Sequence, residues 1–276
     1  MIKRVLVGIA DQTYTVSATR HAIDVARPSD AKLTAMSVLD SDTIRHQGPT
    51  PIGAGAVVKE WRDQLLQESE QVIHESNEAF ERLCKEATMK FELISRSGDP
   101  LKEFIDAARY QDFFVVGLHR LFEHGLLDEA PDNLVKLISS GVYPMLAVTD
   151  TYRPVERVLI AYSGSVESAR TVRSFLHHHH VWPISEIQVV SFGSSSSSEA
   201  PGRLIDVLHY LKDHQLDCEI EFVKGDPRLL HEYAKEWKAD MIVLGNSAKN
   251  LIRRRIFGET ALKTIREANT PLYLAQ

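Results

Sequence analysis

The sequence has little cysteine and no long apolar run. Its two cysteines among 276 residues, Cys84 and Cys218, form no CxxC pair, and this pattern supports neither a disulfide framework nor a zinc ribbon. No run approaches the roughly 18 apolar residues that span a bilayer, and the stretch 1–7 is too short for the apolar core of a signal peptide. We therefore expect a cytoplasmic protein with no membrane partner.

Basic charge is also scarce. The chain carries 32 Lys and Arg against 38 Asp and Glu. Residues 1–150 have a net charge of -7, and residues 151–276 have a net charge of +1. A nucleic-acid-binding protein usually presents a clearly positive face, so we expect no nucleic-acid partner.

The chain contains one pattern twice. Residues 3–10 recur 153 residues later, whereas three later segments recur after 127 or 128 residues: 98–101, 112–117 and 143–147. The smaller offset places an insertion in the first copy, and residues 41–57, rich in Gly and Pro, have the composition of a loop. A repeat of this length predicts two domains, 1–150 and 151–276.

Each copy alternates strand and helix patterns. Apolar residues at helical spacing predict one long helix over 58–87, and Asp99-Pro100 and Asp226-Pro227 supply helix-start residues. Strands separated by helices pair in parallel and bind ligands beyond their carboxyl ends. We predict an α/β fold of two tandem, open, mainly parallel five-stranded sheets flanked by helices. The first-copy strands are predicted at 4–9, 33–39, 90–95, 113–117 and 145–149.

The loop after the fourth strand of the second copy carries a glycine pattern. Gly245 and Ala248 are followed, after nine residues, by Gly258-Glu259-Thr260. The pattern resembles the G-x2-G-x9-G-[ST] loop of ATP-binding members of the universal stress protein family, which also have an Asp after the first strand and a Gly-Asp-Pro turn. The resemblance covers nearly the whole chain and both copies. It implies a Rossmann-like fold of the adenine-nucleotide alpha hydrolase type and a role in stress adaptation.

The resemblance also implies an ATP or ADP site in the second domain. Glycines let backbone N–H groups approach phosphate, and a helix N-terminus adds partial positive charge. Gly245 and Gly258 are retained, but Ala248 occupies the second glycine position and Glu259 the hydroxyl position. The Glu259 carboxylate would repel phosphate, and Thr260 offers a hydroxyl one position later.

Three further features of the second copy each have two interpretations. Ser163 stands at the family's Asp position, where it would contact the sugar or base, or else form part of a helix-capping turn. Val190, on the second strand, would pack against the base or simply be buried. Lys249 and residues 253–255 are basic, and they would either offset the charge of Glu259 or form a solvated face.

The loop of the first copy is more altered. Arg120 stands at the second glycine position, and Ala130-Pro131 replace the last glycine and the hydroxyl residue. Side chains at these positions obstruct phosphate, and Pro131 has no N–H. Ala10 replaces the family's Asp. We expect no ATP there, so the first domain is structural or binds something else.

The tract 177–180 consists of four histidines. Of these only His177 and His180 share a helical face, so capping of the helix end is favoured over a zinc site. The serine-rich segment 194–198 reads as a flexible linker. Since no Ser-His-Asp order, HExxH spacing or DxDxDG loop occurs, we predict no metal site and no catalytic residue.

Three functions are compatible with these patterns. The first is a noncatalytic stress-response module that holds a nucleotide as a switch or stabiliser. The second is a slow ATPase or nucleotide-dependent phosphotransferase, and the third is a scaffold without nucleotide. In the resembling family the last strands pair across a dimer, so we expect strands 145–149 and 272–275 to pair within this chain. That pairing would leave a monomer or a weak homodimer.

Overall fold

The computed structural model describes residues 1–41, 55–118, 130–193, 200–245 and 267–275. The chain forms two compact units: the first unit comprises 2–137 with 150–152, and the second comprises 138–149 with 153–276. The division differs from a simple boundary at residue 150, because the last strand of the first copy packs in the second unit. None of the described helices is both long enough and apolar enough to cross a membrane.

The first unit holds four parallel strands in the order β3-β2-β1-β4. Val5, Leu6 and Val7 are all fully buried, so both faces of the sheet are covered, as is usual for parallel strands. The strands are β1 (Arg4–Gly8), β2 (Lys32–Leu39), β3 (Phe91–Ser97) and β4 (Phe113–Gly117). The helices are α1 (Gln12–Ala26), α2 (Gly55–Glu86), α3 (Pro100–Ala108) and α4 (Ala130–Ser139), whose last two residues fall in the second unit.

The second unit holds six strands in the order β5-β10-β9-β6-β7-β8. They are parallel except for β5 and β10, which pair antiparallel with Leu146 opposite Tyr273. The predicted pairing of the terminal strands is thus confirmed, as is the mainly parallel α/β class. The strands are β5 (Met145–Val148), β6 (Arg157–Ala161), β7 (Glu186–Gly193), β8 (Glu219–Lys224), β9 (Met241–Gly245) and β10 (Leu272–Ala275). The helices are α5 (Val166–His178), α6 (Ala200–Asp213) and α7 (Leu230–Trp237).

Both copies use aspartates in the same way. Asp99 accepts a hydrogen bond from the backbone N–H of Leu101 at 2.9 Å and opens α3. Asp226 caps a short 3-10 turn that precedes α7. These caps confirm the two predicted helix starts.

The long helix α2 confirms the prediction for residues 58–87, with one correction. The helix begins at Gly55, so the predicted loop over 41–57 is wrong for its last three residues, while residues 42–54 lie outside the described part. The buried residues of α2 begin at Ser69 and include Phe80 and Cys84. The C-terminal part of the helix therefore provides its contact with the sheet.

The histidine tract caps the end of α5, as predicted. His178 Nδ1 lies 2.8 Å from the carbonyl oxygen of Ser174, and His179 Nδ1 lies 2.8 Å from that of Leu176. Burial lowers the pKa of His178 to about 4, so this imidazole is neutral at physiological pH. Over the described ranges, no group of three or more His, Cys, Asp or Glu side chains is arranged to hold a metal ion.

Candidate functional site

The carboxyl ends of β6 and β9 mark the point in the second unit where strand order reverses, and we call the region beyond these ends the crevice. After β6 the chain builds β7 and β8 on one side, and it builds β9 and β10 on the other. The point where strand order reverses is the usual ligand position in open α/β sheets. Ala161 of β6 is paired with Leu244 of β9, so the crevice brings together the predicted residues Ser163 and Gly245.

A turn of serines closes one side of this crevice. Ser165 is the N-cap of α5 and accepts a hydrogen bond from the backbone N–H of Ser168 at 3.1 Å. Ser163 Oγ donates to Ser165 Oγ at 3.0 Å and lies 3.3 Å from Ser168 Oγ. The three hydroxyls thus form one cluster at the positive end of a helix, where an anion is favoured.

Gly164 lets the side chain of Arg203 lie against this turn. Its φ of +75° is in the left-handed region, which favours glycine. A Cβ at Gly164 would lie 2.7 Å from Cδ and 3.3 Å from one terminal nitrogen of Arg203, which belongs to α6. The arrangement places a guanidinium group beside the serine cluster.

Gly245 allows β9 to approach α5 closely. A Cβ at this position would lie 3.0 Å from Thr171 Oγ1 and 3.1 Å from Ser168 Cα. The Thr171 hydroxyl also lies 3.1 Å from the carbonyl oxygen of Glu167 and 3.3 Å from that of Ala275. Gly245 therefore has a packing role in addition to any contact with phosphate.

Comparison with known proteins identifies the family of this chain. The family model described as "Universal stress protein family" matches residues 1–121 and 154–276. The chain belongs to the universal stress protein family. The tandem arrangement of two universal stress protein domains agrees with the prediction from the sequence.

Individual relatives of this universal stress protein are distant. A solved universal stress protein from Archaeoglobus fulgidus DSM 4304 is 16% identical, covers 99% of this chain and 96% of its own, and has a TM-score of 0.66. The stress response protein NhaX of Bacillus subtilis is 31% identical over 67 residues, which are 24% of this chain and 40% of NhaX. A universal stress protein in complex with cAMP is 23% identical, covers 45% of this chain and 98% of its own, and has a TM-score of 0.39.

Val190 is packed inside the second unit of this universal stress protein. Its side chain is 1% exposed, and its carbonyl oxygen accepts a hydrogen bond from Tyr162 N at 2.9 Å. Tyr162 is half-buried beside α6; burial, and then the charge of Asp206, raises the pKa of its hydroxyl. A contact between Val190 and a base stays a prediction.

Sequence reasoning missed two residues near the crevice. Arg203 belongs to no motif and follows a serine-rich stretch, so only the packing of α6 brings it to the turn. Tyr162 offered a signal, since it is an aromatic residue directly after a predicted strand. The predicted residues Ala248, Gly258, Glu259 and Thr260, with Lys249 and residues 253–255, lie outside the described residues.

The corresponding crevice of the first unit lacks the serine turn. Ala10 is fully buried and has no side-chain donor. Asp11 instead caps α1, accepting a hydrogen bond from Tyr14 N at 3.0 Å. Pro131 lies in the first turn of α4, where proline is well tolerated. Arg120 lies outside the described residues.

Proposed function

We propose that this universal stress protein binds ATP or ADP in the crevice of the second unit and uses the nucleotide as a switch or stabiliser. The observation that carries the proposal is the cluster of Ser163, Ser165 and Ser168 at the start of α5, with Arg203 beside it. Ser163 would contact the sugar or base. Backbone groups of Gly245 and Gly258, with the Thr260 hydroxyl, would surround the phosphates.

The hydrogen bonds of the serine turn support a contact with ribose. The Ser163 hydroxyl directs its single proton within the cluster, towards Ser165 Oγ. Ser163 Oγ already accepts a long hydrogen bond from the backbone N–H of Ser165 at 3.4 Å. Since a hydroxyl oxygen has two acceptor sites, Ser163 Oγ can still accept one from a ribose hydroxyl. The Arg203 guanidinium and the amino end of α5 both favour a phosphate nearby.

Asp226 is a weak candidate for catalysis. An ATPase needs a carboxylate that acts as base or binds a metal near the phosphates. The Asp226 carboxylate accepts hydrogen bonds from the backbone N–H of Arg228 at 2.9 Å and from Arg228 Nε at 2.7 Å. It is thus already engaged in a cap and an ion pair, which favours a noncatalytic role.

One observation favours a scaffold without nucleotide. Gly245 is needed for the close approach of α5, so its presence does not require a phosphate. The scaffold is therefore the second candidate function.

Isothermal titration calorimetry with ATP, ADP, AMP and cAMP would test the proposal. We expect Ser163→Ala and Arg203→Gln each to weaken ATP or ADP binding about tenfold, as for a lost charged or neutral hydrogen bond. Arg173→Gln, an exposed position farther along α5, is the matched control and should bind as the parent does.

A second variant addresses Glu259, which occupies the hydroxyl position of the predicted phosphate loop. If the Glu259 carboxylate faces the phosphates, Glu259→Ser should strengthen binding about fivefold, because it removes repulsion of about 1 kcal/mol. Binding by neither the parent nor Glu259→Ser would refute the nucleotide proposal and support the scaffold. Mass spectrometry of the gently purified protein for retained adenine nucleotide provides an independent check.

A further inference from the structure

The first unit contains a polar cleft of about 740 Å³ between α2 and the sheet. Its described lining residues come from β2, β3, α2 and α3, and none of them belongs to β1 or β4. Its volume falls within the range of small-molecule sites, roughly 300 to 1,000 Å³.

The cleft forms where the contact between α2 and the sheet changes character. Farther along α2, Phe80 packs edge-on to Phe91 of β3, with 5.9 Å between ring centroids. Towards the carboxyl ends of β2 and β3, Ser37 and Ser95 occupy paired positions. Two small side chains here fill less space than two large apolar ones, which leaves a gap beneath the helix.

The floor of the cleft carries hydroxyl groups with free acceptor capacity. Ser37 Oγ lies 3.1 Å from Ser95 Oγ and accepts a long hydrogen bond from Asn77 Nδ2 at 3.5 Å. Ser97 Oγ donates to Ser41 Oγ at 3.0 Å. Since each hydroxyl has two acceptor sites, Ser95 and Ser97 can both accept hydrogen bonds from a ligand.

The walls carry more negative than positive charge. Glu70 of α2 and Glu103 of α3 line the cleft, and neither carboxylate forms an ion pair or hydrogen bond with a described side chain. Arg96, on the rim, is the single arginine or lysine among the described lining residues. Such walls disfavour a phosphate or carboxylate ligand, whereas the two carboxylates are strong acceptors for hydroxyl groups.

Apolar surface completes the lining. Ile73 of α2 and Leu39 of β2 are half-buried at the cleft. A sugar has both hydroxyl groups and an apolar C–H face, so it matches hydroxyl, carboxylate and aliphatic surfaces together. We propose that the cleft binds an uncharged polyhydroxylated small molecule, a sugar or a polyol. The proposal does not depend on nucleotide binding in the second unit.

Saturation-transfer NMR on the full chain would test the cleft with ribose, glucose, trehalose and glycerol as separate probes. Line broadening in phosphorus NMR would test inorganic phosphate as the charged probe. We expect at least one neutral probe to bind and phosphate not to bind at the cleft. Glu70→Gln and Ser95→Ala should each weaken the neutral probe about five- to tenfold, because each removes one acceptor. Glu60→Gln, an exposed glutamate on the same helix, is the matched control and should leave binding unchanged.

Three results would overturn the proposal: binding of none of the neutral probes, equal binding by all variants and the parent, or preferential binding of phosphate at the cleft. Circular dichroism of each variant checks that the fold is intact. Glu70 and Ser95 are exposed, so we expect both variants to fold as the parent does. The two variants test the site separately.

Discussion

Acid should destabilise the first unit through His21 of α1. The side chain is fully buried, and neither ring nitrogen has a hydrogen-bond partner among the residues described. Its ring packs edge-on to Tyr152 with 4.8 Å between centroids. Tyr152 in turn donates to Asp24 Oδ2 at 2.9 Å, and the Arg20 guanidinium lies 5.7 Å from the centre of the Tyr152 ring. Burial lowers the pKa of His21 to about 4.

The size and sign of the effect follow from the two pKa values. An unfolded histidine has a pKa of about 6.5, so between about pH 6.5 and 4 the unfolded chain binds a proton that the native state does not. The free energy of unfolding therefore falls with falling pH through this window and levels off below it. The full loss from His21 is about 3 kcal/mol, of which about 2 kcal/mol has occurred by about pH 5.

Other described groups act near the same range. Burial lowers the pKa of His180, which adds a loss of the same sign as that from His21. Burial lowers the pKa of His178 to about 4, so His178 adds a loss of the same sign. Burial raises the pKa of Asp24, and a raised carboxyl pKa has the opposite sign, with its effect near the acidic end of the window. A comparison of about pH 7 with about pH 5 therefore isolates the histidines best.

Urea unfolding of the parent and His21→Leu at these two pH values measures the effect. Leucine is similar in size and removes no hydrogen bond, so the variant should lose about 2 kcal/mol less than the parent on acidification. His177→Gln, at an exposed position, controls for the removal of a histidine and should lose as much as the parent. Equal losses in His21→Leu and the parent would refute the reasoning.

Three further substitutions test other contacts. Tyr152→Phe removes the donor to half-buried Asp24 and should lower the free energy of unfolding by about 1 kcal/mol in urea titrations. Gly245→Val places methyl groups against α5 and should cost about 2 kcal/mol by the same measurement. Asp240→Ala removes the acceptor for the backbone N–H groups of residues 156 and 157 and should cost about 1 kcal/mol and speed amide exchange at residue 157.

Controls for these variants come from exposed positions. Tyr110 is 80% exposed, so Tyr110→Phe should leave stability unchanged, and Asp213→Ala tests the loss of an exposed carboxylate. A Gly245→Val protein as stable as the parent would show that α5 does not approach β9 closely. Unchanged amide exchange in Asp240→Ala would show that Asp240 does not hold the backbone of residues 156 and 157.

The repeat made most of the fold predictable. Residues at equivalent positions in the two copies form the same hydrogen bonds. Asp112 accepts from the backbone N–H groups of residues 3 and 4. Asp240 accepts from the backbone N–H groups of residues 156 and 157. Strand and helix patterns are local in sequence, so each copy predicts the order of strands and helices independently of the other. The pairing of β5 with β10 is not local, and the family resemblance predicted it where strand patterns alone could not.

The site was predictable only in part. Ser163 and Gly245 could be predicted because each lies at the end of a strand that occurs in both copies of the repeat. Arg203 could not be found, because its approach to Gly164 depends on how α6 packs. The sequence contains one indication of the cleft, since Ser37 and Ser95 are polar residues inside predicted strands. Only the strand register shows that these two residues are paired.

Gly245 and Arg203 differ in what they indicate about function. Gly245 is explained by the packing of α5, since even one added carbon would crowd Thr171 and the backbone of Ser168. A protein that had lost its nucleotide would therefore still need this glycine. Arg203→Gln removes a charge beside the serine turn without adding an atom between α5 and β9. The effect of Arg203→Gln on ATP or ADP affinity thus separates the nucleotide proposal from the scaffold more sharply than any change at Gly245.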